Sequence, residues 1–119
     1  MKGRLAALAM LLLDCHQQDA ALLVTFTGGY QIPQNADHLK VDIFDAGQVI
    51  TSRAYQLTTN FPATLTLVQS GGTHKTVKIN ATLTLTQNGQ TAVVGLGTAT
   101  SDFQDGQTVK VGILLTPPQ

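Results

Sequence analysis

A chain of 119 residues has room for one domain. Its formal net charge is zero and only 12% of its side chains are charged. That leaves no basic stripe to displace counterions from phosphates, which excludes a nucleic-acid binder. All seven acids are Asp, there is no Glu, and Thr is abundant. Glu favours helices, whereas β-branched Thr fits the pleated surface of a strand, so the composition points to β structure.

The chain opens on a basic start, Lys2 and Arg4, followed by Leu5 to Leu13 (LAALAMLLL), an apolar run without a charge. The run is too short to cross ~30 Å of hydrocarbon as a helix, which takes about 20 residues. It matches the apolar stretch of a secretory signal, ~7–15 residues long. A buried or amphipathic first helix is the alternative reading. Against it, the run is apolar on every side, and a β-rich domain offers little to cover it. The single cysteine, Cys15, falls directly after the run. In an exported protein an unpaired cysteine is otherwise a reactive thiol or an intermolecular link.

Leu12-Leu13-Asp14-Cys15 resembles the lipobox of bacterial lipoproteins, in which a cysteine closes a short apolar signal. The resemblance covers the first fifteen residues. It implies that residues 1–14 are a signal peptide, that Cys15 is the lipid attachment site carrying diacylglycerol, and that residues 15–20 tether a domain spanning 21–119. Leu12 matches the usual apolar position, while Asp14 stands where Gly, Ala or Ser is customary. His16 occupies the place of the Asp that holds some family members at the inner membrane, so the resemblance implies the outer membrane. One acyl chain holds only marginally at about 0.8 kcal/mol per buried CH₂, and stable anchoring takes two or more. A free Cys15 and a non-lipid signal cut near Ala20-Ala21 are the alternatives, although Gln18 spoils a small-x-small cleavage site there.

Beyond the tether, short runs alternate apolar and polar residues between turn signals. Leu22 to Thr27 is the first predicted strand, closed by Gly28-Gly29. Leu39 to Phe44 is the second, with Leu39, Val41 and Ile43 on one face and Lys40 and Asp42 on the other. After Asp45-Ala46-Gly47 comes a third, less regular strand from Gln48 to Leu57. Asn60-Phe61-Pro62 interrupts pairing, because Pro lacks the N–H donor. Leu65 and Leu67 mark the fourth strand before Ser70-Gly71-Gly72. Val77 to Thr86 alternates strictly, and at ~3.3 Å per residue it reaches about 33 Å. Asn88-Gly89 is a strong hairpin signal that folds this strand back onto Thr91–Thr100. The seventh strand sets Val109, Val111, Ile113 and Leu115 against Lys110, Gly112 and Leu114.

Seven half-apolar strands bury one face each most simply as a two-layer sandwich. The predicted fold is therefore all-β, a single seven-stranded antiparallel β-sandwich, immunoglobulin-like or transthyretin-like. A barrel is the alternative architecture. The expected core comprises Val24, Leu39, Val41, Ile43, Leu65, Leu67, Val77, Ile79, Leu83, Val94, Val109, Val111 and Ile113. Small sandwiches of this layout are similar to those of bacterial surface lipoproteins and fimbrial anchors.

Candidate chemistry is sparse. His16, His38 and His74 lack the short local spacing of zinc ligands. Asp42 with Asp45, and Asp102 with Asp105, flank turns without reaching the six to eight oxygens that calcium takes. No serine sits in a nucleophile setting, and Gly95-Leu96-Gly97 precedes no helix and so cradles no phosphate. The expectation is no enzyme, no cofactor and no metal. The expected function is a non-enzymatic envelope lipoprotein acting as a structural or protein-binding module. It would hold a membrane through its lipid anchor and accept a protein partner by strand addition at a sheet edge such as Val109–Leu115. A secreted, unanchored ligand-binding or adhesion module is the alternative.

Overall fold

The computed structural model describes residues 20–69 and 75–118. The expected signal at 1–14, the expected lipid acceptor Cys15, the expected tether at 15–20 up to residue 19, His16 and His74 all lie outside these residues. Seven strands follow in order: β1 (Ala20–Thr27), β2 (His38–Asp45), β3 (Gln48–Gln56), β4 (Ala63–Gln69), β5 (Thr76–Gln87), β6 (Gln90–Asp102) and β7 (Thr108–Leu114). They form a three-stranded sheet ordered β4-β1-β7 and a four-stranded sheet ordered β3-β2-β5-β6.

The alternation in the sequence is what builds the layers. On β5, Val77, Ile79, Ala81 and Leu83 are buried while Lys78, Asn80, Thr82 and Thr84 face outward. β2 does the same with Leu39, Val41 and Ile43. β1, at the centre of the smaller sheet, answers with Leu22, Val24 and Phe26. Leu65 of β4 and Ile113 of β7 complete the inner layer, and Leu67, Val94, Val109 and Val111 pack against it only partly buried. Ile32, Ala36, Leu57 and Leu115 join the core from outside the strands.

Two expectations need correcting. The sandwich is not wholly antiparallel, because β1 and β7 pair in parallel, with Leu22 opposite Val109 and Val24 opposite Val111. Successive strands reverse direction, so two odd-numbered strands brought side by side must run the same way. The other paired strands combine an odd with an even number and are antiparallel. Nor is the strand order immunoglobulin-like. In that arrangement the first strand lies in the A-B-E-D sheet beside the second, whereas here β1 and β2 lie in different sheets.

The two sheets are bonded to each other where the chain leaves β7. Leu96 and Thr116 exchange backbone hydrogen bonds, Leu96 N–H to Thr116 O at 2.8 Å and Thr116 N–H to Leu96 O at 3.0 Å. This bridge links the margin of one sheet to the margin of the other and gives that side a barrel-like corner. A Cβ on Gly97 would lie 2.6 Å from Ile113 Cγ2 and 2.8 Å from the Leu114 carbonyl oxygen, so the close approach needs glycine.

The two tight hairpins compare instructively. Asn88-Gly89 turns β5 into β6 with φ of 53° and 77°, and Ala46-Gly47 turns β2 into β3 with φ of 53° and 84°. Both central residues of such a turn need positive φ, which Asn accepts far better than Ala. Ala46→Asn is therefore expected to stabilise the protein by about 0.5–1 kcal/mol, raising the melting temperature by roughly 2–8 °C. An unchanged or lowered melting temperature would argue against strain at this turn.

Candidate protein-binding surfaces

Of the three histidines, only His38 lies among the described residues. Its Nδ1 is 2.9 Å from Asp37 Oδ1. Asp37 also accepts the Thr86 N–H at 3.3 Å, and its own N–H donates to the Thr84 carbonyl at 2.9 Å. The carboxylate thus ties the start of β2 to the end of β5. The hydrogen bond with His38, joined by that from Thr86, holds Asp37 below the usual carboxylate range against an opposing effect of desolvation. A depressed carboxylate contributes stability that is present above its unfolded value and lost as pH falls through the folded one. Melting temperature should therefore drop more steeply for the wild type than for Asp37→Asn as pH falls below about 4. Identical acid limbs for the two proteins would refute this role.

Two of the four aspartates considered for calcium, both on strands, have hydroxyl partners. Asp42 accepts from Ser52 Oγ, and Asp102 accepts from Thr76 Oγ1 at 2.7 Å. Among the described residues no three His, Cys or Asp side chains converge as metal ligands. Tyr30 and Gly95 have a structural task. The tyrosine hydroxyl donates to the Val94 carbonyl at 2.8 Å, and a Cβ on Gly95 would lie 2.7 Å from that hydroxyl. The ring meets Phe61 edge to face at 6.4 Å, and burial raises the phenol pKa.

The outer face of the four-stranded sheet is a polar platform. Strand register aligns Ser52, Asp42, Asn80 and Thr98 in one row and Ala54, Lys40, Thr82 and Leu96 in the next. Thr98 Oγ1 donates to Asn80 Oδ1 at 2.8 Å, and the Thr86 and Thr91 hydroxyls are 2.9 Å apart. Two shallow grooves border this face. One, of about 530 Å³, is lined by Asn80, Thr82, Leu96, Thr98 and Leu114 among others. The second, of about 360 Å³, lies between Phe44, Gly47, Lys78 and Thr100. Neither lining contains His, Asp or Cys.

The edges differ in how they are finished. β7 pairs with β1 on one side, and the chain immediately after it is bonded to β6 through the Leu96–Thr116 bridge. That makes Val109–Leu115 a less open edge than its sequence suggests. Among the described residues β3 pairs with β2 alone, and eight of its nine residues are exposed, including Val49 at 53% and Ile50 at 41%. Its exposure had a sequence signal. Gln48–Gln56 lacks the two-residue alternation of its neighbours, as befits a strand exposed on both faces apart from the partly buried Tyr55.

No protein-family model matches the sequence, and no curated protein sequence matches it. Among solved structures, an alternative pilotin from the type II secretion system of Vibrio cholerae superposes with a TM-score of 0.57. The match covers 85% of this chain and 98% of the pilotin chain at 11% sequence identity. The fold is shared. At that identity the likeness concerns architecture and carries no residue-by-residue correspondence.

Proposed function

We propose that this chain is a non-enzymatic lipoprotein of the bacterial envelope, a β-sandwich that binds another protein and is held at the outer membrane by acyl chains on Cys15. The observation that carries the reading is the sandwich it has in common with a secretion-system pilotin over nearly the whole of that chain. The apolar leader ending at Cys15 supports the same reading from the sequence. An accessory role beside an envelope-spanning secretion apparatus is the specific form it takes.

Asp14 favours a second reading, a secreted and unanchored ligand-binding or adhesion module, because an acidic residue replaces the small one customary before the acceptor cysteine. Metabolic labelling with palmitate separates the two. The wild-type chain should take up label and fractionate with membranes, and Cys15→Ser should do neither. An unlabelled wild type, or a Cys15→Ser variant that stays with the membranes, contradicts lipid anchoring.

A further inference from the structure

A three-stranded sheet cannot cover a four-stranded one, and the strand left over is β3. Register places Thr51, Arg53 and Tyr55 on the same face as Ile43, Val41 and Leu39, whose side chains are in the core. Yet Thr51 and Arg53 are exposed and Tyr55 is only partly covered. β3 therefore overhangs the smaller sheet with its core-side face largely open and, among the described residues, one backbone edge without a neighbouring strand. Natural edges are usually blunted by short length, lysine, proline or a bulge that twists the strand away. β3 has nine residues and neither Lys nor Pro. Its bulge falls at the turn end, where the register shifts between Ile43 and Phe44, leaving Thr51–Gln56 in regular register with β2.

We infer that β3 is a docking strand for an extended peptide segment that adds antiparallel to it, with an acidic side chain opposite Arg53 and apolar side chains two residues to either side. This rests on the reading of the chain as a protein-binding module and names the surface and the partner's chemistry. Arg53 decides the occupant. It is the only charged residue of β3, and it makes no ion pair among the described residues. A second copy of the chain pairing β3 to β3 about Ser52 would put two Arg53 side chains on one face, roughly 7–8 Å apart along the diagonal, and like charges there repel. A carboxylate directly opposite is attracted instead. The partner's apolar side chains at the flanking positions would meet Tyr55 and close the overhang, while its outward side chains would continue the polar platform.

The test uses the full-length chain and two blocked heptapeptides. One is Thr-Val-Thr-Glu-Thr-Val-Thr, which sets valine, glutamate and valine on one face, and the other carries lysine in place of glutamate. Backbone amide spectra should show the glutamate peptide shifting residues of β3 between Thr51 and Gln56, with affinity about five- to tenfold higher than the lysine peptide. Arg53→Glu, an exposed substitution, should invert that preference, and N-methylation of alternate peptide residues should abolish binding. The inference fails if the glutamate peptide leaves β3 unmoved at millimolar concentration, or if the shifts centre on β4 or the Leu96–Leu114 groove. It also fails if both peptides bind equally, or if β3 shifts with protein concentration alone, which would mark self-association. Peptide binding is read on purified protein whatever the state of Cys15. A negative result here thus leaves the palmitate experiment standing, and the reverse holds too.

Discussion

Phe26→Ala is expected to remove a large share of the protein's stability. The phenyl ring is fully buried at the end of the central strand of the smaller sheet, within the cluster that joins both layers. Its removal loses the transfer energy of the ring and leaves a cavity that paired strands cannot collapse, at a cost of about 3–5 kcal/mol. Total stability for a domain of this size is typically ~5–15 kcal/mol. Each kcal/mol lowers the melting temperature by about 4–8 °C. A fall of at least ~12 °C in a thermal melt is the predicted result. Leu114→Ser, at a position 64% exposed, supplies the comparison and should change stability by less than about 0.5 kcal/mol. Equal effects at the two positions would mean that the core is not where the structure places it.

Gly97→Val is the second large effect, and its cause is the opposite one. The new Cβ would sit within 3.0 Å of a buried isoleucine methyl and of the Leu114 carbonyl oxygen. The methyl can move slightly. The carbonyl belongs to the backbone of β7, next to the residue that bonds Thr27 and the bridge that joins the two sheets, and it cannot. Overpacking of this kind costs about 1–3 kcal/mol and sometimes more. Here the relief available is separation of the Leu96–Thr116 bridge, so amide exchange at Leu96 and Thr116 should accelerate along with a lowered melting temperature. Gly112, on β7, has nothing within 4 Å of the equivalent Cβ position. Gly112→Ala should therefore be neutral or slightly stabilising, since glycine in a strand interior costs roughly 0.5–1 kcal/mol relative to alanine. If Gly97→Val melts with the wild type, the corner is looser than described.

The contrast between those two glycines shows where reading the sequence stops. Strand existence was legible outside β3 because burying one face of a pleated strand forces a two-residue period, and β3 was marked instead by the turns that bound it. The strict alternation from Val77 onward marks the residues of β5 that become buried. The period fails wherever a bulge intervenes. An extra residue at Val94, opposite the Leu83/Thr84 step, leaves Val94 only half-buried and Val93 exposed, although the sequence places Val94 in the core. Buried residues in irregular segments, Ile32, Ala36 and Leu57, carry no periodic signal at all. Pairing order and direction are set by contacts far apart in sequence, so neither the parallel β1–β7 pair nor the closeness of Gly97 to β7 could be read locally. The overhang of β3 follows from the unequal sheets, a property of the assembled fold. Its irregular sequence hinted at exposure without saying which edge would be free. The proposal of a leader ending at Cys15 has a different basis, since it rests on a contiguous stretch of sequence and on no feature of the fold.

Lipid anchoring of this sandwich through Cys15 is tested most directly by the intact mass of the mature protein purified from membranes. The predicted mass is that of a chain beginning at Cys15 and bearing the diacylglycerol and amide-linked acyl groups of a processed lipoprotein. A mass that retains residues 1–14, with Cys15 unmodified, would contradict it.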